Sequence, residues 1–172
     1  MDQEQADALW QRRHALLFNI AVSNNYHRKR QRFFDLLDKG TKAATVLVGA
    51  SLMGEAVKRN LPLAAATVSG LGLLSLVFGY GDRKQAHKEL AEAFMQLQAQ
   101  IDLVGPAVYT EAQLCTWEAD LVRITAKEPP NLRALVTICQ NEQAVALGHP
   151  GVVHRLAWHK RMLANWISFD GL

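Results

Sequence analysis

Several things are scarce in this chain, and each absence removes a class of function. Cysteine occurs only twice in 172 residues, as Cys115 and Cys139, with no CxxC spacing. That excludes a disulfide scaffold or a cysteine-rich zinc site, and the apolar helical surroundings expected for both suggest reduced thiols. None of the six histidines forms HExxH, HxH or a His/Cys pair at ligand spacing. His154 and His159 fall on different faces of a helix, so no metal is expected. No GxGxxG or GxxxxGK[ST] loop is present; Gly70-Leu71-Gly72 lies inside an apolar helix, where a phosphate would be neither hydrated nor paired. The serines lack a nucleophile-elbow setting and the cysteines a basic partner, so the expectation is no catalytic residue, no cofactor and no enzymatic activity. Positive charge is scarce too: a net charge of +3 argues against nucleic acid as a partner, because that needs basic residues massed on one face. The polar first 40 residues are unlike a cleavable signal peptide.

What is present is helical throughout, and the expected fold class is all-α. From Ala6 to Asp38 there is no proline or glycine, and Leu9, Leu16, Leu17, Ile20, Phe33, Phe34 and Leu37 recur at roughly helical intervals. Gly40 ends that quiet stretch, although a helix could run through it at a cost of about 1 kcal/mol. Between Thr41 and Tyr80 two apolar segments flank Lys58-Arg59-Asn60-Leu61-Pro62, and Pro62 suits the first turn of a second helix. Leu90, Phe94, Leu97, Ile101 and Val104 then draw a narrow seam on one helix face. Gly105-Pro106 stops that helix. Thr110 with Gln113 reads as a capping box for a helix to about Lys127, Asn131 as the cap of another to about Leu147, and Val152 to Ile167 as a last amphipathic segment. The expected organisation is an N-terminal amphipathic helix (1–40), a two-helix hairpin (41–81) and a helical domain (82–172).

The hairpin is the informative feature. From Leu61 to Tyr80 there is no Asp, Glu, Lys, Arg, His, Asn or Gln, and a helix of about 20 residues spans about 30 Å, the hydrocarbon thickness of a bilayer. Basic residues crowd the outer flanks of the two segments, with only Lys58 and Arg59 between them. That asymmetry predicts two membrane spans with both termini cytoplasmic and a very short external loop. The alternative is a soluble bundle that buries its two central helices, and a mean hydropathy of -0.04 shows that most of the chain meets water in either case.

Small residues recur on these segments: Gly49, Ala50 and Gly54 on the first, Ala66, Gly70, Gly72, Ser75 and Gly79 on the second. Such smooth faces let helices approach closely and suggest a homo-oligomer; the alternative is that they close the hairpin itself, with the Leu90 to Val104 seam packing on the N-terminal helix. If subunits line a path, Thr45, Ser51, Glu55, Thr67 and Ser69 are the polar side chains expected to face it. The basic-aromatic run "YHRKRQRFF" places Arg28, Lys29, Arg30 and Arg32 beside the first segment; with Lys42, Arg83 and Lys84 they are the candidates for anionic lipid headgroups. The other reading of the run is the solvated face of a helix. The terminal "HRLAWHKRMLANW" suits an interfacial helix or a cover for the cytosolic core.

The stretch "LWQRRHALLFNIAVSNNYHRKRQRFFDLLDKGTKAATVLVGAS", a second apolar helix and "GDRKQAHKELAEAFMQLQAQI" together resemble the bacterial SLATT-type proteins. They are similar in particular to small proteins carried by Mu-like phages and prophages, in which a segment like "KEPPNLRALVTICQNE" recurs. That resemblance implies a two-span effector that perforates or perturbs the inner membrane in conflicts between bacteria and phages. The expected partners are the bilayer, other copies of the chain, and a host or phage protein. The other functional reading is a membrane-anchored adaptor, for instance one excluding a second infection, whose helical domain binds its partner with Trp117, Glu118, Asn141 and Glu142 of interest.

Overall fold

The computed structural model describes residues 3–51 and 61–169. Among them every regular element is helical: α1 (Gln3–Ser51), α2 (Leu61–Phe78), α3 (Tyr80–Val104), α4 (Glu111–Thr125), α5 (Arg133–Ala146), a single 3₁₀ turn (Pro150–Val152) and the short α6 (Trp158–Met162). The all-α expectation holds. Two compact units emerge, one from Met1–Lys29 with Lys88–Leu172, the other from Arg30–His87.

The first unit is built on an antiparallel pairing. Within it Arg13 of α1 meets Asp102 of α3 at 3.9 Å, while His27, farther along α1, stacks on Phe94, earlier on α3. The predicted seam supplies this interface: Phe94, Leu97 and Ile101 are buried with Leu16, Ile20, Leu114 and Trp117, and Val104 packs at the edge. Removing these apolar surfaces from water is the main force holding the helices together. The seam is therefore spent inside the chain. Gly105, with φ of 79°, turns the chain out of α3, a conformation open to glycine because it has no Cβ. Thr110 and Gln113 then form both halves of the capping box that starts α4.

A second cluster holds α5: Val22 and Tyr26 pack with Ala134, Leu135, Cys139 and Ala164. Here the structure departs from expectation. Leu132, not Asn131, occupies the cap position of α5, without a side-chain bond. Its N–H donates instead to the Tyr26 hydroxyl at 3.1 Å, and Asn131 donates to Glu128 at 3.2 Å. A tertiary partner thus replaces a local cap. Nor does Val152 to Ile167 form one amphipathic helix; it holds the end of the 3₁₀ turn, an irregular stretch and α6.

In the second unit α1 passes through Gly40 and continues to Ser51, because a helix tolerates one interior glycine at a cost of about 1 kcal/mol. Phe34 and His87, both buried, stack at 5.6 Å between centroids. Arg30 lies over Phe34 at 4.6 Å and Arg83 at 5.9 Å, both within cation–π range. Asp35 joins the two helices by accepting from Lys84 at 2.7 Å and from Lys39 at 2.7 Å.

The membrane reading is corrected at α2. Among the described residues no helix is long and apolar enough to cross a membrane. The uncharged stretch does not form one helix of its full length: α2 ends after 18 residues at Phe78, where Gly79 adopts φ of 53°. That is about 27 Å of helix, and Pro62, Thr67, Ser69 and two interior glycines dilute its apolar character. The two-span transmembrane hairpin, the inner-membrane placement and the pore-forming reading are withdrawn on this finding. Gly79 serves as the break between α2 and α3, not as part of a smooth packing face.

Candidate interaction surfaces

Among the described residues no group of three or more His, Cys, Asp or Glu is placed to hold a metal ion. The nearest thing to a catalytic pair is His27 with Glu128, at 3.2 Å and almost entirely buried. His27 is stacked on Phe94 at 5.7 Å and set edge-on to Tyr26 at 5.2 Å, which places it in the core and not at a surface. Cys139 is a free thiol in the same core, and burial pushes it up to about 12, which leaves it protonated and unreactive near neutral pH. Cys115 is also free but exposed.

The residues expected to meet lipid headgroups are placed as follows. Arg28 bonds Asn24 at 3.2 Å and Met95. Lys29 reaches Glu142 at 2.9 Å, with Asn25 donating to the other oxygen of that carboxylate at 2.7 Å; together these hold it ionised below the usual range despite partial burial. Lys42 pairs with Asp38 one turn back at 2.7 Å. Arg30, Arg83 and Lys84 belong to the cluster around Phe34 and Asp35, and Arg32 is exposed. The run is therefore neither a uniformly solvated face nor a free basic patch, since Tyr26, His27 and Phe34 within it are buried.

Of the side chains expected to line a path, Thr45 bonds the Thr41 carbonyl on its own helix at 2.9 Å, and Thr67 and Ser69 are exposed on α2. Ser51 ends α1, while Gly54 and Glu55 lie outside the described residues. Among the small residues, Ala50 and Ala66 are exposed. The side-chain surroundings of Gly49 and Ser75 lie outside what is described.

Two surfaces stand out. The first is α2, whose Leu73, Val77 and Phe78 are 61%, 75% and 46% exposed. Among the described residues, a Cβ built on Gly70 or Gly72 would meet no atom within 4 Å; each glycine costs about 1 kcal/mol relative to alanine in a helix.

The second is a groove of about 640 Å³ in the first unit, lined by Arg133, Val136 and Gln140 of α5 and by His154, Arg155 and Leu156. Its far wall is fixed by one side chain: Asn141 donates its amide to the His154 carbonyl at 2.7 Å and accepts from the His154 N–H at 2.8 Å. Leu156 anchors the same segment in the second cluster. Among the described residues no acidic side chain lines the groove, and neither Arg133 nor Arg155 has an ion-pair partner. A smaller cavity of about 450 Å³ beside Arg12 and Glu111 differs in that respect: there Arg12 is already paired with Glu118 at 2.7 Å and with Glu111 at 3.5 Å. The groove escaped the sequence reading because its walls come from α5 and from an irregular segment joined to it by the Asn141 hydrogen bonds and the packing of Leu156.

No family model, no curated protein and no solved structure matches the chain.

Proposed function

We propose that this chain is a non-catalytic helical adaptor that assembles with copies of itself through α2 and presents its first unit to a protein partner. The observation that carries this reading is the uncharged helix α2, which leaves Leu73, Val77 and Phe78 exposed. Contiguous apolar surface on a single chain marks an interaction site. A second copy suits it best, since the same face supplies an equally apolar, charge-free counterpart and a two-fold pairing closes on itself. Open glycines at Gly70 and Gly72 let two such helices approach closely. The likeness to phage-carried SLATT-type proteins supports a host or phage protein as the other partner.

The test is mass in solution by light scattering, over a wide dilution series, for the native chain and for a Leu73→Glu/Val77→Glu variant. Both positions are exposed, so the variant should keep its helicity by circular dichroism. The expected result is a native assembly larger than one chain and a monomeric variant. A native chain that stays monomeric throughout, or one that is withdrawn from solution by phospholipid vesicles through the same two residues, overturns the proposal.

A further inference from the structure

From the basic groove we infer that the first unit binds an extended, acidic peptide segment of a partner protein, lodged between α5 and the Val153–Leu156 stretch. The inference rests on the adaptor reading and names the chemistry of the partner. Charge is the first argument. Arg133, His154 and Arg155 line the groove, and among the described residues its lining holds no acidic side chain and the two guanidiniums have no ion-pair partner. Arginine forks suit carboxylates because they offer parallel donors in a fixed plane.

The backbone supplies the second argument. Val153, with φ of -72° and ψ of 122°, and Ala157, with φ of -58° and ψ of 146°, bracket an extended stretch. Inside it the N–H and carbonyl of His154 are taken by Asn141, but those of Arg155 and Leu156 have no partner among the described residues. An extended peptide that pairs with the N–H and carbonyl of one of these two residues presents alternate side chains to one side, as in strand addition to a sheet edge. Acidic side chains on that side meet the arginines, and apolar ones meet Val136 and Leu156. The groove's size, about 640 Å³, is far more than one anionic group fills and falls in the range of sites that take a short peptide or a drug-sized ligand.

The groove lies wholly in the first unit, so binding can be measured on the Leu73→Glu/Val77→Glu chain, and assembly and peptide capture fail separately. The probe is a fluorescein-labelled Glu-Val repeat peptide of about eight residues, followed by anisotropy and compared with its Gln-Val counterpart. We expect a Kd in the range of about 1–100 µM, weakened about tenfold or more by Arg133→Glu/Arg155→Glu and weakened progressively by added salt. Arg133→Gln/Arg155→Gln should weaken it less, with circular dichroism showing that both variants fold. Asn141→Ala, which removes no charge, should also weaken it by releasing the His154 wall. Equal binding of the Gln-Val peptide, or no binding at about 1 mM, overturns the inference. So does displacement by inorganic pyrophosphate below the peptide's own Kd, which assigns the groove to small anions, or arginine-dependent capture by anionic vesicles, which assigns it to lipid.

Discussion

Replacing Phe94 by alanine tests where the Leu90 to Val104 seam is used. Phe94 is completely buried, packed in the cluster of Leu16, Ile20, Leu97, Ile101, Leu114 and Trp117, and its other face stacks on His27 at 5.7 Å. Truncating a buried phenylalanine costs about 3–5 kcal/mol, the lost transfer energy plus the cavity left behind. The stack adds about 0.5–1.5 kcal/mol beyond area burial, which places Phe94→Ala toward the upper part of that range. Set against a net stability of about 5–15 kcal/mol for a domain, one substitution removes a large share of the whole. The assay is urea unfolding, followed by far-ultraviolet circular dichroism and by tryptophan fluorescence, since Trp117 lies in the same cluster. Because the seam is filled from within one chain, the stability loss should be the same at every protein concentration. A loss under about 1 kcal/mol would refute the packing argument. A loss that shrinks as concentration rises would show that the seam holds subunits together.

Two further outcomes follow from local electrostatics and burial. Thiol alkylation under native conditions should modify exposed Cys115 quickly and Cys139 only after unfolding, because Cys139 is buried and its thiol is pushed up to about 12; peptide mapping that finds both labelled at one rate would show an open second cluster. The hydrogen bonds from Lys39 and Lys84 hold the Asp35 carboxyl at about 2, below its ordinary 3.8, so its contribution is complete above the ordinary value and is lost as pH falls from there toward 2. Carboxyl-detected NMR should therefore show Asp35 titrating near the lower value and Lys84→Ala raising it; a midpoint unmoved by the substitution would mean that the contact does not form in solution.

Much of the first unit was legible because its signals are local. The glycine and proline at 105 and 106 end a helix whatever surrounds them, and Thr110 and Gln113 cap one through atoms three residues apart. The seam was legible as a period, and the antiparallel pairing only had to find its partner. His27 was overlooked because it sits in the basic run. Its spacing of seven from both Ile20 and Phe34 nonetheless puts it on the buried face, a signal present in the residues and outvoted by their charge. Asn131 was the better local cap for α5, yet Tyr26, more than a hundred residues away, took the role.

The sequence by itself determined that the chain is helical, where several helices end and which face of α3 turns inward, since propensity, capping and periodicity act over a few residues. It also marked an uncharged segment from Leu61 to Tyr80. Only the tertiary structure decided the rest. The backbone at Gly79 cuts that segment to 18 residues, the seam is consumed between α1 and α3, and Asn141 fixes the wall that brings Arg155 and His154 to face Arg133. Such outcomes depend on which distant groups compete for the same surface or hydrogen bond, and that competition is resolved only once the chain has folded.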